Sequence, residues 1–413
     1  MNRKQLIILL ALVAVLGGAG LVLMNRNQDS WSGAPDTKQG RKLLENFQVN
    51  DVVQIRLVGD SELNLVRNDD LWRVRERGDY PANFSQISGF LMKLSDLKIT
   101  QSEQIEASQI ADLGLVEPKP GQKSGEKTAT LIETKDSTGK VMRAVLLGNK
   151  HTRSMTGPYG NNEYPDGRYV MLREEPKTAL LISDPLGTTD PKPDQWLNKD
   201  FFKVEKIKSV AFTALASTNS WTLAATNEGG TLVLQDCATN EFPDSAKISS
   251  LSATLGSPSF VDVATNASPE VTGLDKPLTA NIETFGHFTY VLKVGKKTPE
   301  NNYFVNVSVS ADLPKERTPG KDEKPEDKAK LDKEFADKLK QSEAKLAQEK
   351  KLDKWTYLVS SYTIDPLVRD RAQLMQEKKD SKVADDAALP KANDDDKNQD
   401  FQDISTEPAM EMK

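Results

Sequence analysis

Apolar and polar positions along this chain form a pattern that occurs twice. Each occurrence opens with short runs of alternating apolar residues, which are typical of β-strands, and continues with an aromatic-proline pair, a Gly-Leu pair, a lone glycine and an Asp-Pro-Leu triplet. The matching positions are Leu65, Trp72, Tyr80-Pro81, Gly114-Leu115, Pro118, Gly148 and Asp184-Pro185-Leu186 in the first copy, and Leu223, Leu232, Phe242-Pro243, Gly273-Leu274, Pro277, Gly295 and Asp365-Pro366-Leu367 in the second. We therefore predict two repeat units, residues 45–199 and residues 200–377.

Each unit is predicted to be an antiparallel sheet covered by one helix. The strand-like runs are separated by short turns, which suits hairpins. After the Tyr-Pro pair the apolar period lengthens to that of a helix, with Ile87, Phe90 and Leu94 on one face. Ile248 and Leu251 take the same part in the second unit. The fold class that follows is α+β, with two duplicated units of antiparallel sheet and a covering helix in each.

The largest difference between the copies is an insertion in the second unit, residues 311–354. Within it, apolar residues recur at four- and seven-residue steps among lysines and acidic residues, at Leu331, Phe335, Leu339 and Leu346. This spacing predicts a charged helix with a narrow apolar stripe. The stripe either rests on the body of the protein or docks a partner through a coiled coil or a groove. These four residues are the candidate partner-docking residues.

The chain begins with an apolar run that is long enough to cross a membrane as a helix. Nineteen residues from Leu6 to Met24 carry no charge, and a spanning helix needs about 20. Basic residues within positions 1–4 place the start of the chain in the cytoplasm. We therefore predict one N-terminal transmembrane helix over residues 5–24, represented by Leu6, Leu16 and Met24, with the bulk of the chain in the periplasm. A cleavable signal peptide is the alternative.

Polar segments flank the predicted folded part. Residues 25–44 read as a tether, and residues 378–413 read as a disordered acidic tail. From Asp380 to Lys413 there are ten acidic residues against four lysines, a net charge of −6, which equals the net charge of the whole chain. The rest of the chain therefore balances to zero. A neutral folded part argues against nucleic acid as a partner, because that partner requires a basic face.

Candidate chemistry is sparse. The histidines, His151 and His287, occupy non-equivalent places in the two copies, so the repeat supports no shared catalytic or metal site. Cys237, the single cysteine, cannot form an intramolecular disulfide and is predicted to be a small buried apolar residue. Glu133 and Glu283 fall at matching places in strand-like runs and are predicted to face solvent. We predict no catalytic residue, no metal, no cofactor and no enzymatic activity.

The apolar anchor and several motifs of the first unit together resemble a known bacterial family. They are the apolar anchor, Trp72-Arg73-Val74, Tyr80-Pro81-Ala82, the leucine-rich helix, Leu113-Gly114-Leu115 and Leu146-Leu147-Gly148. They resemble a domain-of-unknown-function family of single-pass membrane-anchored envelope proteins associated with gliding-motility-type ABC transporters. The resemblance is best from about residue 45 to residue 186 and implies an accessory role at such a transporter, with its permease or auxiliary membrane subunit as partner. The family carries no established catalytic residues that could be transferred.

Two alternatives stay open. The chain could act as an envelope hydrolase on glycan or peptidoglycan through paired carboxylates, whose decisive property is their separation in space. It could also be a structural envelope protein without a transporter.

Overall fold

A computed structural model describes residues 38–119, 125–157, 160–187, 189–320 and 323–376. The predicted transmembrane anchor, with Leu6, Leu16 and Met24, lies outside the described residues, and so does the predicted acidic tail. Among the residues that are described, no helix is both long enough and apolar enough to cross a membrane.

The described chain forms two antiparallel sheets and a few helices, which confirms the predicted α+β class. Sheet one contains β1 (Gln54–Val58), β2 (Glu62–Asn68), β3 (Leu71–Val74), β4 (Tyr80–Pro81), β5 (Ile99–Gln104), β6 (Thr130–Lys135), β7 (Val141–Gly157), β8 (Gly160–Leu172) and β9 (Thr178–Ile182). Sheet two contains β10 (Ile207–Thr213), β11 (Trp221–Ala224), β12 (Val233–Leu234), β13 (Asp262–Ala264), β14 (Leu278–Thr284), β15 (Phe288–Lys297), β16 (Asn302–Ala311) and β17 (Thr356–Ser360). The α-helices are α1 (Phe84–Asp96), α2 (Ala107–Asp112), α3 (Ser245–Gly256), α4 (Pro269–Thr272), α5 (Pro325–Glu349) and α6 (Ser361–Ile364).

The strands of the two sheets follow the same order. Sheet one runs β4-β3-β2-β1-β6-β7-β8-β9-β5, and sheet two runs β12-β11-β10-β14-β15-β16-β17-β13. The two orders match strand for strand once β4 is set aside, because sheet two has no strand at that place among the described residues. This agreement is compatible with the internal repeat that the sequence predicts.

The predicted helices pack into the main core with the inward side chains of the strands. Asn83 caps α1, and its side chain accepts a hydrogen bond from the backbone N–H of Gln86 at 3.1 Å. Asp244 caps α3 in the same way. The buried face of α1 consists of Ile87, Phe90, Leu91 and Leu94, and that of α3 consists of Ile248, Leu251 and Leu255.

Two pairs of glycines explain the Gly-Leu pair and the lone glycine that recur in both units. Gly114 and Gly273 end a short helix with φ angles of 66° and 76°, in the left-handed region that favours glycine. The turn they form lies against the strand glycine of the same unit, Gly148 or Gly295. A Cβ on Gly148 would overlap the carbonyl oxygen of Leu113, and a Cβ on Gly295 would overlap the same atom of Thr272. Both units therefore use the same close contact between turn and strand.

The sheets differ in what covers their second face, the face that points away from the main core. In sheet one, Leu131 and Leu146 are neighbours on adjacent strands and belong to a smaller core against which Ile110 of α2 packs. The same places in sheet two hold Thr279 and Lys293. Sheet one is therefore covered on both faces around β6 and β9, whereas sheet two presents polar residues on its outer face, as antiparallel sheets commonly do.

The end of the predicted tether belongs to the fold. Leu43 and Leu44 are 4% and 2% exposed, because these adjacent leucines enter the main core. The backbone N–H of Gly40 donates to the carbonyl oxygen of Ile99, the first residue of the edge strand β5, at 2.8 Å. In the described structure, unit one therefore starts before residue 45.

The two sheets are joined by an aromatic contact and an ion pair. The ring of Tyr80 lies 5.0 Å from that of Trp355 and 5.8 Å from that of Phe260, centroid to centroid. Beside it, Arg77 holds Asp262 through two hydrogen bonds of 2.6 and 2.7 Å. Tyr80 is 4% exposed, whereas Phe242, at the matching place of unit two, is 65% exposed.

Candidate functional site: the groove beneath the inserted helix

The insertion that distinguishes unit two forms the long helix α5. Pro325 is at its first turn, together with Glu326 and Asp327, a composition that suits the positive end of a helix dipole. In unit one, β8 and β9 are joined by residues 173–177 instead. The helix that the apolar spacing predicts is thus present, and it is a feature of one copy.

The predicted docking residues face the body of the protein. Leu331, Phe335, Leu339 and Leu346 are each half-buried on α5. Leu346 packs against the main core. Phe335 and Leu339 line a groove of about 500 Å³ between α5 and the turn that joins β14 to β15. The stripe is therefore divided between a packed end and an open groove.

The C-terminal end of α5 is held by a buried carboxylate. Glu349 is 6% exposed and accepts hydrogen bonds from the hydroxyl of Tyr290 at 2.9 Å and the backbone N–H of Lys203 at 3.2 Å. The ammonium of Lys345 lies 3.9 Å from it. Burial raises the pKa of Glu349, and these partners only partly oppose the shift. Burial beside this carboxylate also raises the pKa of Tyr290.

Ion pairs fasten the loop that precedes α5. Arg317 pairs with Glu323 within the loop and with Asp332 on the helix, the latter through Nε at 2.8 Å. The Arg317 side chain is 15% exposed. These contacts tie the first part of α5 to its own loop, whereas Glu349 ties its C-terminal end to the body.

The groove combines apolar walls with a basic rim. Phe288, Leu313 and Pro314 supply the wall on the body side, opposite Phe335 and Leu339. The basic residues on the lining are Lys206, His287, Lys338 and Lys345. Lys206 also forms an ion pair with Glu228. The ammonium of Lys345 lies 5.3 Å from the centroid of the Phe288 ring and donates to the carbonyl oxygen of Lys203 at 2.8 Å. The groove therefore has the composition of a binding site.

Replacing Glu349 tests how α5 is held. Glu349→Ala leaves the Lys203 N–H without its acceptor and the Tyr290 hydroxyl with only the carbonyl oxygen of Lys203, at 3.1 Å. We therefore expect a loss of about 1–3 kcal/mol in the free energy of unfolding. The raised pKa of Glu349 means that its contribution is fully present below its ordinary pKa of 4.5 and is lost as pH rises through the folded-state value. Glu349→Gln should therefore gain stability relative to the native chain as pH rises towards neutrality.

Urea denaturation of both variants at several pH values measures these effects. Tyr290, Lys345 and Glu205 are the titratable groups that face the carboxyl group. Glu343→Gln, on the exposed side of α5, is the control and should follow the native pH profile. Identical profiles for Glu349→Gln and the native chain would contradict the raised pKa.

One of the two glutamates predicted to face solvent is buried. Glu133 is 5% exposed, because the second face of sheet one is covered. Its carboxylate accepts hydrogen bonds from Arg56 at 2.8 Å and Arg173 at 2.5 Å. Burial raises the pKa of Glu133, but the two arginines outweigh that effect and leave the pKa below its ordinary value. The group therefore stays ionised and is a structural ion pair, unsuited to donating a proton near neutral pH.

The strand register also corrects the match between the two glutamates. In sheet one, Ile55 of β1 pairs with Thr134 of β6. Val210 takes the place of Ile55 in sheet two, and it pairs with Ile282 of β14, so Ile282 corresponds to Thr134. Glu133 therefore corresponds to Asn281, two residues before Glu283. Glu283 is exposed, as predicted, and its nearest ion-pair partner is Lys208 at 3.5 Å.

The remaining candidate residues are separated. Cys237 is exposed, contrary to the prediction, because it lies in the surface loop between β12 and α3. His151 contacts Asp166 at 2.6 Å on the β7–β8 hairpin, whereas His287 lines the groove. Among the residues described, no group of three or more His, Cys, Asp or Glu could hold a metal ion.

Sequence reasoning missed Glu349, Tyr290 and the groove itself. Glu349 is one of many charges on a charged helix, so its spacing carried no signal. Tyr290 sits at an inward position of β15 between the buried residues Phe288 and Leu292. That position was a usable signal for burial, but it could not identify the partner of the hydroxyl group.

Comparison with known protein families gives a match over residues 72–277 of this chain. Neither the curated proteins nor the solved structures contain a match to this chain. The matched region begins in β3 of unit one and ends just before β14 of unit two, so it includes parts of both units. Over residues 72–277 the chain carries a domain of unknown function, DUF4340.

Proposed function

We propose that this protein is a non-enzymatic scaffold or binding module, anchored in the inner membrane and exposed to the periplasm, that works as an accessory component of an ABC-type transporter complex. The observation that carries the proposal is α5, a 25-residue charged helix inserted into one of two similar units and held to the body at its C-terminal end by Glu349. An insertion of this kind adds surface without altering the sheet order.

The contacts made by two buried carboxylates support a binding role. Glu133 is held ionised by two arginines, and Glu349 is used to fix α5. Each of these buried carboxylates has a structural task. The apolar run at residues 5–24 supports the membrane anchor, and the family resemblance supports a transporter permease or auxiliary membrane subunit as the partner.

Co-purification tests the accessory role. The full chain, extracted in mild detergent, should recover the subunits of an ABC transporter. A variant in which residues 314–352 are replaced by the turn sequence of residues 174–177 should recover them at least about tenfold less, if α5 contributes about 1.4 kcal/mol or more to the contact.

A matched control separates loss of the contact from loss of the fold. Lys140→Glu alters an exposed turn in unit one and should leave recovery unchanged. The thermal unfolding temperature of the shortened variant should confirm that both sheets fold. Recovery of the native chain alone would contradict the accessory role, and equal recovery by the shortened variant would show that α5 is not the contact.

A further inference from the structure

The middle of α5 spans an open space. Phe335 and Leu339 form the helix side of the groove, and Phe288 and Leu313 form the body side. The volume of about 500 Å³ falls within the range of small-ligand sites, roughly 300–1,000 Å³. Glu349 holds the C-terminal end of α5 to the body, and Arg317 ties the first part of α5 to the loop before it. The middle of the helix lies over a space that its own apolar stripe does not fill.

The charges beside this space favour an anion. Lys338 and Lys345 project from α5, whereas Glu205 is the exposed carboxylate on the lining. Glu205 is engaged by the ammonium of Lys203 at 2.7 Å and lies 3.8 Å from that of Lys345. A carboxylate or phosphate at the rim would meet the ammonium of Lys338 and would share that of Lys345 with Glu205, and a charge-assisted hydrogen bond is stronger than a neutral one.

We propose that the groove binds an anionic amphiphile, with its hydrocarbon chain between Phe288, Phe335 and Leu339 and its carboxylate or phosphate head at Lys338 and Lys345. The inference rests on the proposed binding function and names a ligand class for it. Apolar walls on two opposite sides suit a hydrocarbon chain, because burial there removes apolar surface from water. A free fatty acid and an anionic phospholipid share this chemistry.

Photo-crosslinking in membranes that contain the full chain tests the proposal. The probes are dodecanoate, dodecanol and phosphatidylglycerol, each with a diazirine on the hydrocarbon chain. Dodecanoate or phosphatidylglycerol should label peptides that contain Phe288 or residues 335–339. Dodecanol, which has no charge, should label them about tenfold less. Labelling by dodecanoate alone identifies a free fatty acid as the ligand, and labelling by phosphatidylglycerol identifies a membrane lipid.

Paired variants on α5 separate the groove from the exposed side of the helix. Leu339→Glu places a carboxylate in the apolar wall, and Lys338→Glu reverses the charge at the rim. Each should reduce labelling of the groove peptides about tenfold or more. Ala336→Glu and Lys333→Glu make the same changes at exposed positions of α5 and should leave labelling unchanged.

Three results would overturn the ligand proposal: equal labelling of the four variants, equal labelling by dodecanol and dodecanoate, or label confined to peptides outside the groove. Failure of the accessory role is a separate outcome, because it is read from recovery of transporter subunits by the native chain. A chain that recovers the transporter but shows no groove labelling would keep the accessory role and remove the ligand.

Discussion

Gly295→Ala is expected to lower the free energy of unfolding by about 3 kcal/mol, at the upper end for an overpacked site. A Cβ at this position would overlap the carbonyl oxygen of Thr272. The obstacle is backbone of the turn that ends at Gly273, which cannot rotate away as a side chain can. Gly148→Ala should behave alike in unit one, where the obstacle is the carbonyl oxygen of Leu113.

Gly89→Ala is the matched control for these two variants. Gly89 lies on the exposed side of α1, and a Cβ there would meet no atom within 4 Å. Alanine is favoured over glycine within a helix by about 0.5–1 kcal/mol, so this variant should be slightly stabilised. Urea denaturation of the three variants measures the difference. Retention of native stability by Gly295→Ala or Gly148→Ala would show that the turn moves freely from the strand.

Tyr80→Ala is expected to cost about 3–5 kcal/mol, the usual loss for removing a large buried aromatic side chain. The ring is 4% exposed and lies between the two sheets, in edge contact with Trp355, Phe260 and Tyr357. Its loss opens a cavity at the joint, and Arg77 and Asp262 remain beside it as the polar contact. The joint should therefore loosen as well as lose stability.

The repeat supplies the control for Tyr80. Phe242 follows the same pattern in unit two but is 65% exposed, so Phe242→Ala should change the free energy of unfolding by no more than about 0.5 kcal/mol. A double-mutant cycle of Tyr80→Ala with Trp355→Ala should give a coupling of about 0.5–1.5 kcal/mol for the ring pair. Equal effects at Tyr80 and Phe242 would contradict the observed joint.

Much of the fold could be predicted because the chain contains its own comparison. Positions that recur in both copies, such as Gly114 and Gly273, mark contacts that each unit makes within itself. The helical spacing of apolar residues identified the buried face of α1 and the presence of α5, because an amphipathic period is a local property of the sequence. The end of the tether was less predictable, because Leu43 and Leu44 are buried by residues that lie much later in the sequence.

The candidate site was only half predictable. The apolar period marked Phe335 and Leu339, but it could not show that the stripe faces a groove, because the facing wall comes from β15 and the loop after β16. Glu133 was misjudged for the same kind of reason. Alternation within a strand gives the side on which a residue lies, whereas a different part of the chain decides whether that side is covered.

By itself, the sequence indicated two similar sheet units, the α+β class and the place where the units differ, since these depend on period and order along the chain. Only the tertiary structure decided that Glu133 is locked between arginines, that Glu349 fastens α5 and that Tyr80 joins the sheets. Burial, and the pKa of a buried group, depend on partners distant in sequence. Those partners, Arg173, Tyr290 and Trp355, meet their targets only in the folded chain.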